Sequence, residues 1–154
     1  INTYLSSALS NIATIYDENN NSELAAKYAL ESLKTDEMTK NYNGIYVSSM
    51  KLAEINSRND DEKALHYFKK AKACAFELNE PFYIASCDIA MGDFYCNRKD
   101  NEQAVKSYLS AYNVAKNNFS KDNIEKILVR INDIKARIGE ELFKKYENEY
   151  INGK

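Results

Sequence analysis

The sequence predicts an all-α protein, a solenoid of antiparallel helix pairs with about seven to eight helices. Three observations predict it. Apolar residues recur at helical spacing through nearly the whole chain, interrupted only by short polar breaks. Glycine occurs 4 times and proline once in 154 residues, too rarely for hairpin-rich β folds or phosphate-cradling loops. Certain positions also recur at an interval near forty residues, which marks an internal repeat.

The elements follow in order. Helix one, residues 2–19, carries Leu5, Leu9, Ile12 and Tyr16 on one face, and the helical reading extends back through residues 1–5. Helix two, 22–36, carries Ala25, Tyr28, Ala29 and Leu33, with Ser22 as its expected N-cap. Helix three, 42–58, carries Ile45, Leu52 and Ile55. Helix four, 61–78, follows Asp60 as cap and carries Ala64, Phe68, Ala71, Ala75 and Leu78. Pro81 suits the first turn of helix five, 81–98, with Ala85, Ile89, Gly92 and Tyr95. Helix six, 101–118, follows Asp100 and carries Ala104, Tyr108, Ala111 and Ala115. Helix seven, 121–138, follows Ser120 and carries Ile124, Ile127, Ile131, Ile134 and Ile138, until Gly139 breaks it. Helix eight, 140–150, carries Leu142, Phe143, Tyr146 and Tyr150.

Set in register, Tyr16, Ile55, Tyr95 and Ile134 are 39, 40 and 39 residues apart. Ala25, Ala64 and Ala104 follow the first three; Ala29, Phe68 and Tyr108 come a turn later, and Ser32, Ala71 and Ala111 after those. The pattern resembles the tetratricopeptide repeat, most closely in Met91-Gly92-x-x-Tyr95, Ala104-x-x-x-Tyr108 and Ala111. The resemblance covers residues 5–138 and implies a right-handed superhelical stack. It divides one domain into repeats 2–40, 41–80 and 81–120 and a terminal pair 121–150. Four features depart from the family pattern. The period exceeds the usual length of roughly 34, as in kinesin light chains and Gram-positive peptide-sensing regulators. Asp88 holds the position of the signature tryptophan, and Lys51 stands where an apolar residue is usual. Phe143 replaces a small alanine, so the last pair is expected to pack differently, as a cap or the start of a connector.

In the family, the first helix of each pair lines a concave groove. Spacings of three, four and three residues select the stripe here. It runs Ser7, Ser10, Thr14 and Asp17 on helix one, Tyr46, Ser49, Ala53 and Asn56 on helix three, Ser86, Ile89, Asp93 and Cys96 on helix five, and Glu125, Leu128, Asn132 and Lys135 on helix seven; all but Ser7, Ala53, Ser86 and Glu125 are the candidate partner contacts. Asn56 and Asn132 are candidate clamps for a peptide backbone, because each amide both donates and accepts. Tyr46 and Ile89 are candidate apolar contacts. Family members that grip chaperone tails hold a carboxylate with Lys, Arg and Asn; a stripe of Ser, Thr and Asp argues against that partner. The aromatic residues Tyr42, Tyr46, Phe82 and Tyr83 read as packing between helix ends, the alternative being an aromatic wall in the groove.

Catalytic chemistry finds no local support. His66 is the sole histidine and reads as a surface residue. Cys74, Cys87 and Cys96 lack a CxxC pair and read as reduced thiols, and neither they nor the Asp60-Asp61-Glu62 run form a metal site. No cofactor is expected. A net charge of -2, with basic and acidic residues interspersed, argues against nucleic acid, and no apolar run approaches membrane-spanning length. The chain starts at Ile1 rather than Met and reads as a piece of a longer cytoplasmic protein, with a composition suited to an AT-rich bacterial genome. The expected function is to bind a protein or peptide, as a regulatory or scaffold segment of a bacterial signalling protein. The alternative is a structural spacer or a homodimer formed through the N-terminal helix pair.

Overall fold

The computed structural model describes residues 2–153, with side chains from residue 4 onward; the helical reading of Ile1 lies outside these. Among the described residues there are eight helices and no strand. The chain divides into two compact units, residues 1–79 and 80–154, where the sequence reading takes one domain. The division coincides with a repeat boundary.

The first unit contains α1 (Asn2–Glu18), α2 (Ser22–Met38), α3 (Tyr42–Asn56) and α4 (Asp61–Glu77). Each helix packs on the next. Alanines suit close approach of helices, and Ala13, Ala25, Ala29, Ala53, Ala64, Ala71 and Ala75 are all buried. Leu33, Leu52, Ile55 and Phe68 are buried with them. Each such large side chain contributes about 1.5–3 kcal/mol by leaving water.

The second unit contains α5 (Pro81–Asn97), α6 (Asn101–Ala115), α7 (Lys121–Ile138) and α8 (Glu140–Asn152). Here α6 is central and packs on α5, α7 and α8. Ala104, Ala111 and Ala115 of α6 meet Ile127, Ile131 and Ile134 of α7 and Phe143 of α8 in one core. Gly92 is required in α5, because a Cβ there would lie 2.4 Å from the Tyr108 ring. Gly139, at φ 88°, turns the chain from α7 into α8. Phe143 fills its position with a ring under the Lys135 ammonium, 5.5 Å from the ring centre.

Three of the tight turns share one construction. Asn20, Lys40 and Lys99 have φ values of 59°, 52° and 61°, in the left-handed region. The following N–H reaches back to close the helix: Asn21 to Tyr16 O (2.8 Å), Asn41 to Asp36 O (2.9 Å) and Asp100 to Tyr95 O (3.0 Å). The same three residues then cap the next helix with their side chains. The cap of α2 is therefore Asn21, not Ser22, which is the first helical residue. Asp60 and Asp100 cap as expected, and Pro81 opens α5. Ser120 precedes α7 without a side-chain capping bond.

Candidate functional site

In the first unit, α1, α2 and α3 enclose a pocket of about 400 Å³. Its exposed rim carries Ser7 and Asn11 of α1 and Asn43 and Val47 of α3. Its buried end carries Ser6, Ser32, Asp36 and Ser48, each exposed by 3% or less. The polar groups are linked. Ser32 Oγ donates to Ser6 O (2.8 Å), Ser48 Oγ lies 3.0 Å from Ser32 Oγ and 3.5 Å from Asp36 Oδ2, and Asn41 Nδ2 donates to Asp36 Oδ1 (2.8 Å). Gly44 leaves room for the carboxylate, since a Cβ at Gly44 would lie 2.2 Å from Asp36.

Of the residues expected to bind a partner, Ser10 lines this pocket. Thr14 turns its hydroxyl back to Ser10 O (3.1 Å), and Asn56 spends one N–H of its amide on Leu52 O (2.7 Å). Asp17 is held by Arg58, with Nη1 at 2.5 Å from Oδ1. Tyr46 is 8% exposed and Ser49 0% exposed, which corrects their assignment as partner contacts. The stripe on α3 is a packed face. Ser49 Oγ is buried without a hydrogen-bond partner.

In the second unit the recess lies between α5 and α7. It measures about 530 Å³ and is lined by Asp93, Cys96, Tyr108, Arg130, Asp133 and Arg137 among others. Asp93 organises it. Its carboxylate accepts from Tyr108 Oη (2.7 Å) and from Arg130 through Nε (3.0 Å) and Nη2 (3.3 Å). Burial and then the Asp93 carboxylate push the Tyr108 hydroxyl well above the usual phenol range, so it remains a donor. The hydrogen bond to Asp93 raises Arg130 further above its ordinary value. Arg137 donates to Cys96 Sγ (3.1 Å) and Asn101 Oδ1 (2.9 Å).

Asp93 and Cys96 therefore line this recess, and the candidates on α7 do not. Lys135 faces α8, where its ammonium meets Glu140 at 2.9 Å, and Leu128 packs against the core. Asn132 is exposed and does not line the recess, and Ile89 also packs against the core. The expected stripe on α7 points away from α5. The side facing α5 carries Arg130, Asp133 and Arg137, which sequence reasoning missed. One signal was available. Arg58 and Arg137 are 79 residues apart, twice the repeat, and each reaches 41 and 36 residues back, to Asp17 and Ser22 or to Cys96 and Asn101.

His66 is exposed, and the three cysteines are free thiols, Cys74 and Cys87 buried. Burial pushes the Cys74 thiol up. Tyr42 and Phe82 are exposed, and the Phe82 ring approaches Phe119 at 6.1 Å. Among the described residues no group of His, Cys, Asp and Glu is placed to hold a metal ion, and no helix is long and apolar enough to cross a membrane.

No protein-family model matches the chain, and no curated protein matches its sequence. Among solved structures it is similar to BtubC (BKLC) from P. vanneervenii, with a TM-score of 0.80 and 17% identity, over 100% of this chain and 67% of that one. At that identity the likeness establishes the fold, an all-α solenoid of helix pairs.

Proposed function

We propose that this chain is a tetratricopeptide-type module that binds a peptide or protein partner, as a regulatory or scaffold segment of a larger bacterial signalling protein in the cytoplasm. One observation carries the reading. In each unit a polar recess opens between the first helices of consecutive pairs, α1 and α3 in one, α5 and α7 in the other. Those are the helices that line the groove in the family the sequence resembles. Recesses with a few fixed polar groups suit recognition of an extended segment.

The test is a displayed library of random short peptides, selected on the whole chain. Enriched peptides are expected to lose binding by about tenfold or more when Ser10→Trp fills the first recess or Cys96→Trp fills the second. No enrichment, or peptides indifferent to both variants, rules the reading out.

A second reading, self-association, draws on a different feature. Leu5, Ile12 and Ile15 share a face of α1 and are 51%, 36% and 57% exposed. Light scattering over a concentration series distinguishes it. Dimers abolished by Ile12→Glu and Ile15→Glu support this reading, and a monomer at every concentration sinks it.

A further inference from the structure

The two units place different chemistry at equivalent positions between α2 and α3 and between α6 and α7. Ser32, Asp36 and Ser48 of the first unit stand 79 residues before Ala111, Ala115 and Ile127 of the second. All six are buried to within 1%. Ala75, the α4 counterpart of Asp36, is likewise fully buried. An apolar plug therefore fills this position in α4 and at the α6–α7 interface, and the α2–α3 interface replaces it with hydroxyls and a carboxylate.

The replacement is short of donors. A carboxylate offers about four lone-pair sites. Asp36 receives one well-formed hydrogen bond, from Asn41. The single proton of Ser48 is divided between Ser32 Oγ and Asp36 Oδ2, and the proton of Ser32 is committed to Ser6 O. Among the described residues no lysine, arginine or histidine pairs with Asp36. Burying a carboxylate without a cation is costly, and here one hydrogen bond from Asn41 and a long contact from Ser48 are what offset it. The carboxylate lies at the buried end of an open pocket, beside a glycine that keeps the space clear for it.

We infer that the α1–α2–α3 pocket binds a cationic hydrogen-bond donor, an alkylammonium or alkylguanidinium, whose head meets Asp36. Ser10, Asn11 and Asn43 at the mouth supply neutral polar contacts to whatever carries the head. In naming a partner's lysine or arginine as the carrier, the inference rests on the peptide-binding reading; the pocket chemistry does not.

The test is amide chemical-shift titration of the isotope-labelled whole chain. The probes are n-butylammonium and n-butylguanidinium chloride, with n-butanol as the neutral control. A short acetylated, amidated peptide carrying one lysine is compared with its norleucine counterpart. The cations are expected to shift the backbone amides of Gly44 and Ser48 and the side-chain amide of Asn41, and butanol is not. Asp36→Asn is expected to weaken the response about tenfold. The plugged variant Ser32→Ala/Asp36→Ala/Ser48→Ile is expected to lose it while the amides of the second unit stay in place, which separates lost binding from lost folding.

A lysine peptide that binds more tightly than butylammonium identifies a partner side chain as the source. A free cation that binds as tightly as the peptide identifies a small amine. No shift from either cation, or equal shifts in Asp36→Asn, overturns the inference. Peptides that enrich without needing lysine, arginine or Asp36 sink this inference and leave the module reading standing. Cation binding without any peptide enrichment does the reverse.

Discussion

The α2–α3 and α6–α7 interfaces solve one packing problem with opposite chemistry. Both lay the second helix of a pair against the first helix of the next. Where α6–α7 closes with Ala111, Ala115 and Ile127, α2–α3 carries Ser32, Asp36 and Ser48 and encloses a pocket. The glycines show the same split. Gly92 makes room for an aromatic ring within the core, and Gly44 makes room for a carboxylate. Apolar closure adds stability, whereas polar closure forfeits some of it, a pattern expected where a site is kept for use.

Importing the polar residue into the apolar interface should break the second unit. Ala115→Asp places an unpaired carboxylate in a fully buried position and is expected to cost about 3–5 kcal/mol in urea denaturation. The converse clash is next in size. Gly44→Ala drives a Cβ into Asp36 and is expected to cost about 1–3 kcal/mol; most of that loss should return in Gly44→Ala/Asp36→Ala. A double variant no more stable than the single would show that the glycine is not there for the carboxylate.

Alkaline pH should separate the units. Burial raises Tyr95 and Tyr108 in the second unit and Cys74 in the first. Each folded group holds its proton above the pH at which the unfolded chain releases it. Their contribution is therefore fully present below the ordinary values of 9.0 for the thiol and 10.0 for the phenols, and is lost as pH rises beyond them. Melting followed from pH 7 to pH 11 by amide exchange is expected to show the first unit weakening from 9.0 upward and the second from 10.0 upward, and a common onset in both would remove this difference. The smallest effect concerns the arginines. Arg58→Ala and Arg137→Ala are each expected to cost about 0.2–1 kcal/mol. Salt should shrink the first cost only, because Arg58 forms an ion pair with Asp17 while Arg137 bonds the Cys96 sulfur and the Asn101 amide oxygen.

Much of the fold was legible because helical periodicity, caps and the repeat are all local or regular signals. Asp60, Asp100, Pro81 and Gly139 mark boundaries by mechanisms that need no tertiary context. The stripe was half legible. Spacing finds residues on one side of a helix, but it does not say whether that side is open or packed. Asp93 and Cys96 face a recess, while Tyr46 and Ser49, two residues of the matching stripe on α3, are buried. The pocket around Asp36 was hidden for another reason. A lone aspartate late in an amphipathic helix reads as solvated, and only its alignment with Ala75 and Ala115 shows that it occupies a core position.

The arginine contacts carry a consequence for how such a chain changes length. Each donor finds its acceptors 41 and 36 residues upstream, so the fastening belongs to the period rather than to a place in the chain. Gaining or losing one whole period keeps guanidinium and acceptors in phase. An insertion of one residue within a helix swings everything beyond it by about 100° and points the guanidinium elsewhere. Growth in this architecture is quantised: whole steps are tolerated, fractions are not.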